Sequence, residues 1–401
     1  MFRASRIAFA ASCIAMAGLL TGCGGVRGTA TAGEVDVRKL EVGTYPVDRH
    51  QYDQYPGDKA ALLEGMRMSD AVVPTVQIDP SLAVGRGSTV VAGAEHALDF
   101  VAKVSKSVFD NRKLITGYAA SGADKPDPPG QTNPAPDATA VTNALFRFPD
   151  QASAKLAARE LEDVDIAVSA ENQKLASTKY PDAYIHWRPG VPTVGTFMAH
   201  KEFVISLFIQ RPNPDSADLV NWVEKSLAAQ LAQLDKFQAT PQDKIEDLRV
   251  DPEGLLARVA VADRKGRTPD AATFAIFGAN HMVHRAEDEA AHLRLVQDAG
   301  VDRQAIADDS YVVRTRDTAA AQRLAEGLME NEGAHYDPLD APRDVPGAKC
   351  LRLNSKGDPE REYRFRCYVT YKRYVGVVTS DKEPDIRQKV AAEYALLANS
   401  L

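Results

Sequence analysis

The chain has 401 residues, with 55 acidic side chains against 48 basic ones and a formal net charge of −7. This length fits about two domains of ordinary size. The acidic balance argues against nucleic acid as the main partner, because binding to a phosphate backbone depends on an excess of Lys and Arg.

The first residues have the pattern of an export signal. Arg3 and Arg6 precede an uncharged, mostly apolar run of 14 residues from Ile7 to Leu20. Such a run is too short to span about 30 Å of hydrocarbon as a helix. A basic start, a short apolar run and small residues at its end are typical of a signal peptide. We therefore predict a signal peptide over residues 1–22.

The end of this signal suggests a lipid anchor. Leu20-Thr21-Gly22-Cys23 resembles the lipobox of bacterial lipoproteins, in which the cysteine is lipidated before cleavage on its amino side. The resemblance implies that Cys23 anchors the chain to the outer face of the cell membrane, since two or three acyl chains attach a protein stably. Residues 23–40 are predicted to be the lipidated tether, because the stretch after Cys23 is rich in Gly, Thr and Ala. A secretory signal with a chance cysteine is the alternative.

Two cysteines, Cys350 and Cys367, remain for the folded part of the chain. Their flanking segments alternate apolar and polar residues, and the turn cluster NSKGDPE lies between them, so a hairpin would bring them opposite each other. Disulfides persist in exported proteins, whereas a metal or redox site would need more ligands or a CxxC pattern. We predict a structural disulfide that stabilises the chain by about 3 kcal/mol.

Two parts of the chain follow the same plan. ALFRFPDQASAKLAAREL from residue 144 resembles YVVRTRDTAAAQRLAEGL from residue 311, and an offset of 167 places Asp150 on Asp317 and Leu161 on Leu328. Each segment predicts a strand, an Asp N-cap and an Ala-rich helix. Further on, HKEFVISLF from residue 200 matches YKRYVGVVT from residue 371. Both are runs typical of strands, and an amphipathic helix follows each.

These repeats predict an α+β fold of two tandem, duplicated two-layer domains, each an antiparallel sheet with helices on one face. The first domain is predicted over residues 41–240 and the second, with the disulfide hairpin, over 241–401. A Pro-rich stretch over residues 122–139 occurs in the first copy alone. We predict that this stretch is an insertion outside the core.

The chain as a whole resembles a group of uncharacterised lipoproteins from mycolic-acid-bearing actinobacteria, which are built as tandem α+β halves. The resemblance implies this location and architecture, and its diffuse motifs imply no activity. The features that carry it are the lipobox, EGMRMSDAVVPTVQIDPSL, QDAGVD, RCYVTYKRYVGVVTS and QKVAAEYALLANS.

One histidine cluster is a candidate metal site in a sequence that otherwise lacks the common catalytic motifs GxSxG, HExxH, GxxxxGK[ST] and GxGxxG. No catalytic residue and no cofactor are therefore predicted. HMVHRAEDEAAH places His281, His284 and His292 within twelve residues. On one continuous helix, His284, Asp288 and His292 would share a face and could hold zinc. The solvated edge of a helix is the alternative, and the apolar positions of this segment favour it.

A local excess of positive charge marks the segment from Arg343 to Arg373, which has nine Lys or Arg against four acids. Arg364 and Arg366 alternate with apolar residues and so share the exposed face of a predicted strand. A solvated strand face that prevents association of sheets is the favoured alternative to a binding surface. The residues that would bind an anionic ligand are Arg352, Arg364, Arg366, Lys372 and Arg373.

Another candidate pocket lies in the first domain, where YIHWRPGVPTVGTFMAH groups aromatic and polar residues around a Gly/Pro turn. These residues could line a ligand pocket or cap the core of the domain, and the cap is the favoured interpretation. They are Tyr184, His186, Trp187, Arg188 and His200.

Together these features favour a non-enzymatic, membrane-anchored protein of the cell envelope. The cleft between its halves, or the basic sheet surface, would bind an envelope lipid, a glycan or a partner protein, since ligands often bind at domain junctions. One alternative is a metal-assisted hydrolase that uses the cluster from His281 to His292. Another is a structural or assembly lipoprotein that binds only proteins.

Overall fold

The computed structural model describes residues 35–400, and residues 36–400 belong to one compact unit. The predicted signal peptide, Cys23 and most of the predicted tether lie outside the described residues. Among the helices that the structure describes, none is both long enough and apolar enough to cross a membrane.

The first half is a seven-stranded antiparallel sheet with the strand order β1-β2-β3-β7-β6-β5-β4. Its strands are β1 (Val84–Val91), β2 (Thr116–Ala123), β3 (Ala140–Arg147), β4 (Gln173–Leu175), β5 (Tyr184–Trp187), β6 (Thr193–His200) and β7 (Phe203–Gln210). Its helices are α1 (Ala60–Arg67), α2 (Thr75–Ile78), α3 (Ala94–Ala97), α4 (Lys106–Arg112), α5 (Gln151–Ile166) and α6 (Ser216–Leu234).

The second half repeats this plan with the strand order β8-β9-β10-β14-β13-β12-β11. Its strands are β8 (Phe274–Phe277), β9 (Arg303–Ala307), β10 (Ser310–Arg314), β11 (Tyr336–Leu339), β12 (Lys349–Leu353), β13 (Phe365–Tyr371) and β14 (Tyr374–Ser380). Its helices are α7 (Ala279–His284), α8 (Glu289–Ala299), α9 (Thr318–Glu332) and α10 (Glu383–Asn399). Because the matched strands have the same order, the predicted tandem α+β fold and its duplication are confirmed.

Local geometry is duplicated as well. Asp150 accepts a hydrogen bond from the Ser153 amide at 2.7 Å, and Asp317 accepts one from the Ala320 amide at 2.8 Å, so α5 and α9 have the predicted N-caps. The turns β6–β7 and β13–β14 also match. Each contains a lysine with a left-handed backbone, Lys201 at φ 53° and Lys372 at φ 50°.

The helices differ from the prediction in one respect, since they cover both faces of each sheet. Successive residues of a strand point to opposite faces. In β3, Ala144 and Phe146 pack in one apolar cluster with α5, whereas Val141 and Leu145 pack in another with α6. In the second half, α9 packs with Val375 and Val377, while a side chain at the intervening Gly376 would meet α10. A strand that is apolar on both sides therefore has a helix on both sides.

Two segments outside the sheets are held by specific contacts. Before α1, the Tyr45 hydroxyl donates to Asp385 of α10 at 2.9 Å, and Val42, Tyr45 and Val47 pack near Leu396. The Pro-rich stretch connects β2 to β3. An ion pair between Arg86 of β1 and Asp127, with 2.8 Å between Nε and Oδ1, holds it against the sheet.

The two halves share a continuous apolar core. Ala275 and Phe277 of β8 belong to the same buried cluster as Leu63 and Met66 of α1. At the same contact, the hydroxyl of Tyr118 in β2 lies 2.8 Å from Nδ1 of His281 in α7. The junction is therefore built from side chains of both halves.

Candidate functional site

The candidate site is a cavity of about 610 Å³ at the junction of the two halves, here called the junction cavity. The end of α1, the end of α6, the connection over residues 247–253, and β8 with the start of β9 surround it. Its volume falls within the range of about 300–1,000 Å³ that is typical of small-molecule sites. Both halves and the segment between them therefore contribute to one pocket.

One side of the junction cavity is apolar. Its apolar lining comes from both halves because the shared core reaches the surface here, where α1 meets β8. A ligand that covers this side would gain free energy from the apolar area removed from water, at about 25 cal/mol per Å². The partly exposed apolar residues are Phe237, Leu248, Pro252 and Ile276, while Leu63, Val250 and Phe277 also line the cavity but are buried.

The polar side of the junction cavity carries an excess of available positive charge. Lys236, Arg249 and Arg303 border it, and none of them forms an ion pair with a carboxylate among residues 35–400. The acids beside them are engaged elsewhere, since Asp247 pairs with Lys244 and Glu253 pairs with Arg314. The cavity therefore has cations ready to bind an anionic group.

Asp70 is the remaining acid at this side. One of its oxygens accepts a hydrogen bond from the Asn280 amide at 3.1 Å. Burial raises the pKa of Asp70 above its usual value, although this hydrogen bond and the nearby Arg303 oppose the shift.

A buried ion network fixes the wall that contains Arg67. Glu64 is fully buried and pairs with both Arg67 and Arg147. The same carboxylate accepts hydrogen bonds from the amide and hydroxyl of Thr240, at 3.1 and 2.7 Å. Arg67 and Arg147 also donate to the carbonyl oxygens of Gln238 and Thr240, so the network ties α1, β3 and the chain after α6 into one wall.

A second hollow of about 370 Å³ adjoins the junction cavity and shares Arg249, Pro252 and Glu253 with it. Arg49 and Arg258 add further positive charge to its lining. The two hollows together therefore extend the basic side of the site toward the C-terminal end of the chain.

Two family models match most of the chain. Residues 51–250 match the model described as Domain of unknown function (DUF7373) N-terminal, and residues 255–400 match the one described as Domain of unknown function (DUF7373) C-terminal. The chain belongs to the DUF7373 family. The break between the two DUF7373 models, residues 251–254, lies in the segment that lines the second hollow.

Other comparisons add no function to the DUF7373 assignment. No curated protein matches the chain. A solved structure that matches is the "Crystal structure of the extracellular domain of PknH from Mycobacterium tuberculosis", at 10% identity and a TM-score of 0.26, over 37% of this chain and 78% of that one. A likeness at this level says nothing about function.

The structure does not bring the proposed metal ligands of this DUF7373 protein together. The metal site required one continuous helix, whereas two helices form, with His284 ending α7 and Asp288 capping α8. The favoured alternative, a solvated helix edge, is wrong for His281 and His284, which are both buried. His284 is buried with Nε2 on the Ser69 carbonyl oxygen at 3.2 Å, Asp288 accepts from the Ala291 amide, and His292 lies one turn into α8. Over residues 35–400, no group of three or more His, Cys, Asp or Glu could hold a metal ion.

The basic residues of the second half lie in separate places. Arg352 and Arg364 line a shallow pocket of about 490 Å³ beside the hairpin loop, whereas Lys372 and Arg373 occupy the turn at the other end of β13. Seven residues at about 3.3 Å each separate the two ends. Arg366 is half-buried and pairs with Glu332 of α9, so it does not share the exposure of Arg364.

The disulfide between Cys350 and Cys367 is present in the structure. The two cysteines are paired directly across β12 and β13, as the hairpin pattern predicted. Both are buried, so the bond is part of the core of the second sheet.

The aromatic and polar group of the first half divides between two faces of its sheet. Trp187 packs against the core that α6 covers, and Tyr184 packs against the core that α5 covers. His186 is buried with Nδ1 on Glu162 at 2.7 Å, and His200 is near Asp235. Tyr184 and Trp187 pack against the cores as the predicted cap requires, and Trp187 also borders a hollow together with His186 and Arg188.

Sequence reasoning missed the residues that line the junction cavity. Arg67, Lys236, Arg249 and Arg303 come from four separate segments, each unremarkable in its own context. EGMRMSDAVVPTVQIDPSL, which contains Arg67, was singled out for family resemblance alone. No local pattern would have grouped these four cations, because only the packing of one half on the other does so.

Proposed function

We propose that this DUF7373 protein is an exported lipoprotein of mycolic-acid-bearing actinobacteria, anchored by Cys23, that binds an amphipathic anion of the cell envelope. The observation that supports this function is the junction cavity, in which an apolar wall faces three cations without carboxylate partners. An amphipathic anion combines an apolar body with one anionic group, and so matches both sides.

Charge and shape select this class of ligand. Hydrogen bonds between Arg or Lys and a carboxylate or phosphate are about twice as strong as those between neutral groups. A small inorganic anion would leave the apolar wall exposed to water, and a neutral lipid would leave the cations without a partner. A ligand with both parts gains from each, and the rigid wall around Glu64 limits the entropy lost on binding.

The anchor is tested separately from the ligand. We expect wild-type protein from its native envelope to partition into detergent and to carry a lipid on Cys23 when its N-terminal peptide is measured by mass spectrometry. Cys23→Ser should release the chain from the membrane fraction. A Cys23→Ser protein that stays in that fraction, or an unmodified N-terminal peptide in the wild type, would show that the lipid anchor is wrong.

The ligand is tested on the folded part of the chain with palmitate as the probe, by isothermal titration calorimetry. We expect one palmitate per chain, and we expect the double variant Lys236→Ser/Arg249→Ser to bind it at least about tenfold more weakly, since each charged hydrogen bond contributes about 1.5–3 kcal/mol. Hexadecanol has the same apolar chain without the charge, so its affinity should be lower and should not respond to the variant.

A matched control also tests the alternative surface. Arg352→Ser/Arg364→Ser removes two cations that line the shallow pocket of the second half, and we expect it to bind palmitate like the wild type. If this variant loses binding while Lys236→Ser/Arg249→Ser does not, the basic hairpin is the site and the junction cavity is not. No binding of palmitate to the wild type would end the proposal.

A further inference from the structure

We infer a second binding site on this protein, a groove on the sheet of the first half that fits a neutral glycan chain. The groove consists of two hollows of about 480 and 270 Å³ that meet at Asp99, Phe100 and Phe208, and is here called the sheet groove. It shares no lining residue with the junction cavity, so it does not depend on the function proposed above.

The floor of the sheet groove is one row of residues that are opposite each other across five strands. Residues paired directly in an antiparallel sheet point to the same face. The neighbouring row, which includes Ala144 and Phe197, is covered by α5, and the floor lies just beyond this helix. In order across β2, β3, β7, β6 and β5, the floor residues are Ser121, Thr142, Phe208, Gly195 and His186.

Phe208 is the central residue of this floor. Its side chain is 50% exposed, although the rest of β7 is buried apart from its last residue. On one side Gly195 has no side chain, and the His186 ring already occupies the space that a Cβ there would need. On the other side the hydroxyls of Ser121 and Thr142 are 2.8 Å apart. The floor is therefore flat, with an exposed ring between small groups.

The second half closes the equivalent place. Arg366 stands where the first half has Gly195, and Thr379, its partner on β14, stands where the first half has Phe208. Arg366 pairs with Glu332 of α9. At the offset of 167, Glu332 corresponds to Asp165 of α5. Thr379 is only 4% exposed. Duplicated halves therefore differ here, and the first half alone has an open floor.

The Pro-rich insertion forms one wall of the sheet groove. Thr132, Asn133 and Pro134 line it, and the side chain of Gln210 donates to the Ala135 carbonyl oxygen at 2.7 Å. Together with the pair between Arg86 and Asp127, this contact fixes the wall on the sheet. The Pro-rich insertion, which occurs in the first half alone, thus borders the sheet groove, which is also a feature of the first half.

The charges around the sheet groove favour a neutral ligand. Arg86 pairs with Asp127, Arg188 lies 3.5 Å from Glu171, and His186 binds Glu162, so each cation has a carboxylate partner. Asp99, by contrast, has no cation within ion-pair distance among the described residues. An anion would meet no available cation here and would be repelled by the carboxylates.

The mixture of groups matches a sugar chain. One face of a pyranose ring presents C–H groups that pack on an aromatic ring, and its hydroxyls need hydrogen-bond partners around the edge. Phe208 and Phe100 supply rings, while the amides of Asn133 and Asn172 and the carboxylate of Asp99 supply donors and acceptors. Two adjoining hollows that meet at Phe208 fit several sugar units rather than one.

The test titrates the chain from residue 35 onward with maltohexaose, cellohexaose and chitohexaose by calorimetry. We expect at least one of them to bind with a Kd below about 1 mM. Phe208→Thr introduces the residue that the second half has at this place, and we expect it to weaken that binding about tenfold, because it removes the exposed ring on which a sugar would pack. Tyr363→Thr removes an exposed ring elsewhere and should bind like the wild type.

Two outcomes would overturn the inference. They are the absence of binding by all three glycans, including the case in which only anionic heparin binds, and wild-type affinity in Phe208→Thr with an unchanged circular dichroism spectrum. Glycan affinity that is unchanged in saturating palmitate, and in Lys236→Ser/Arg249→Ser, would support a site separate from the junction cavity. If palmitate failed to bind, the proposed function would be wrong, but the glycan site would not be affected.

Discussion

Glu289, the first residue of α8, is a buried acid at the contact between the halves. Its Oε2 accepts hydrogen bonds from the Thr75 hydroxyl at 2.8 Å and the Val76 amide at 3.0 Å. Even so, burial raises the pKa of Glu289 to about 7. A carboxyl group that joins the halves therefore changes its charge near neutral pH.

This shift predicts how stability depends on pH. An unfolded glutamate has a pKa of about 4.3, so between about pH 4 and pH 7 the unfolded chain loses this proton while the folded chain keeps it. The free energy of unfolding therefore falls as pH rises through this window, by about 4 kcal/mol for this residue. Glu289→Gln keeps an acceptor and removes the charge. We expect urea unfolding to show a variant that is more stable than the wild type at pH 8 and equal to it near pH 4.

Glu287→Gln is the control for this experiment because it makes the same chemical change two residues away on an exposed side chain. It should not alter the difference between pH 4 and pH 8. If Glu289→Gln raised the free energy of unfolding equally at both pH values, burial of the charge would not be the cause.

At the scale of elements, the break between α7 and α8 replaces helical hydrogen bonds by bonds to β1 and its flank. The Gly85 amide donates to the Glu287 carbonyl oxygen at 3.0 Å, and the Glu289 amide donates to the Ala83 carbonyl oxygen at 2.9 Å. Asp288 then caps α8 from an extended backbone. The partners are about 200 residues away in the chain, so the local sequence could not show that one helix becomes two.

The role of Asp288 as an N-cap predicts a modest loss of stability. Its carboxylate accepts from the Ala291 amide at 2.8 Å, and replacing such a cap by Ala typically costs about 1 kcal/mol. We expect Asp288→Ala to lower the free energy of unfolding by about this amount in urea, with or without zinc. His292→Ala should change it by less than about 0.5 kcal/mol. A zinc-dependent loss in both variants would instead support a metal site.

The repeated elements could be predicted, while their layering could not. Asp150 and Asp317 mark the starts of α5 and α9 because an N-cap is a local signal, and the turns at Lys201 and Lys372 follow the aligned strand patterns. Ala392 and Leu396 of α10 are buried because the chain before α1 packs over this helix near Tyr45. That contact depends on tertiary structure, so no periodicity in either segment predicts it.

The disulfide gives a second prediction for an element. It closes a loop with a sequence separation of 17 residues between β12 and β13, and loss of such a link costs about 3 kcal/mol in the chain-entropy model. We expect Cys350→Ala/Cys367→Ala to unfold at lower urea concentration by this amount. Reducing agent should destabilise the wild type and leave the double variant unchanged. If reducing agent also destabilised the double variant, its effect on stability would have a cause other than this bond.

At the scale of the whole molecule, the sites come from the differences between two similar halves and from their contact. The junction cavity needs α1 and α6 from one half and β8 and β9 from the other. The sheet groove needs Gly195 and Phe208 where the second half has Arg366 and Thr379. The duplication could be predicted from the sequence. The groove could not, because only the strand register shows which of the differing residues lie side by side.

The shared core predicts that the two halves unfold together. Phe277 of β8 is 1% exposed, packs in the cluster that holds Leu63 and Met66 of the first half, and stacks on His281 at 3.6 Å between ring centroids. Phe277→Ala should therefore cost about 3–5 kcal/mol. We expect hydrogen exchange to show this loss equally in the central strands β3 and β10, and calorimetry to show one transition.

Val168→Ala, at an exposed position, should leave both strands unchanged. Lost protection in β10 with full protection in β3 would mean that each half folds as a separate unit.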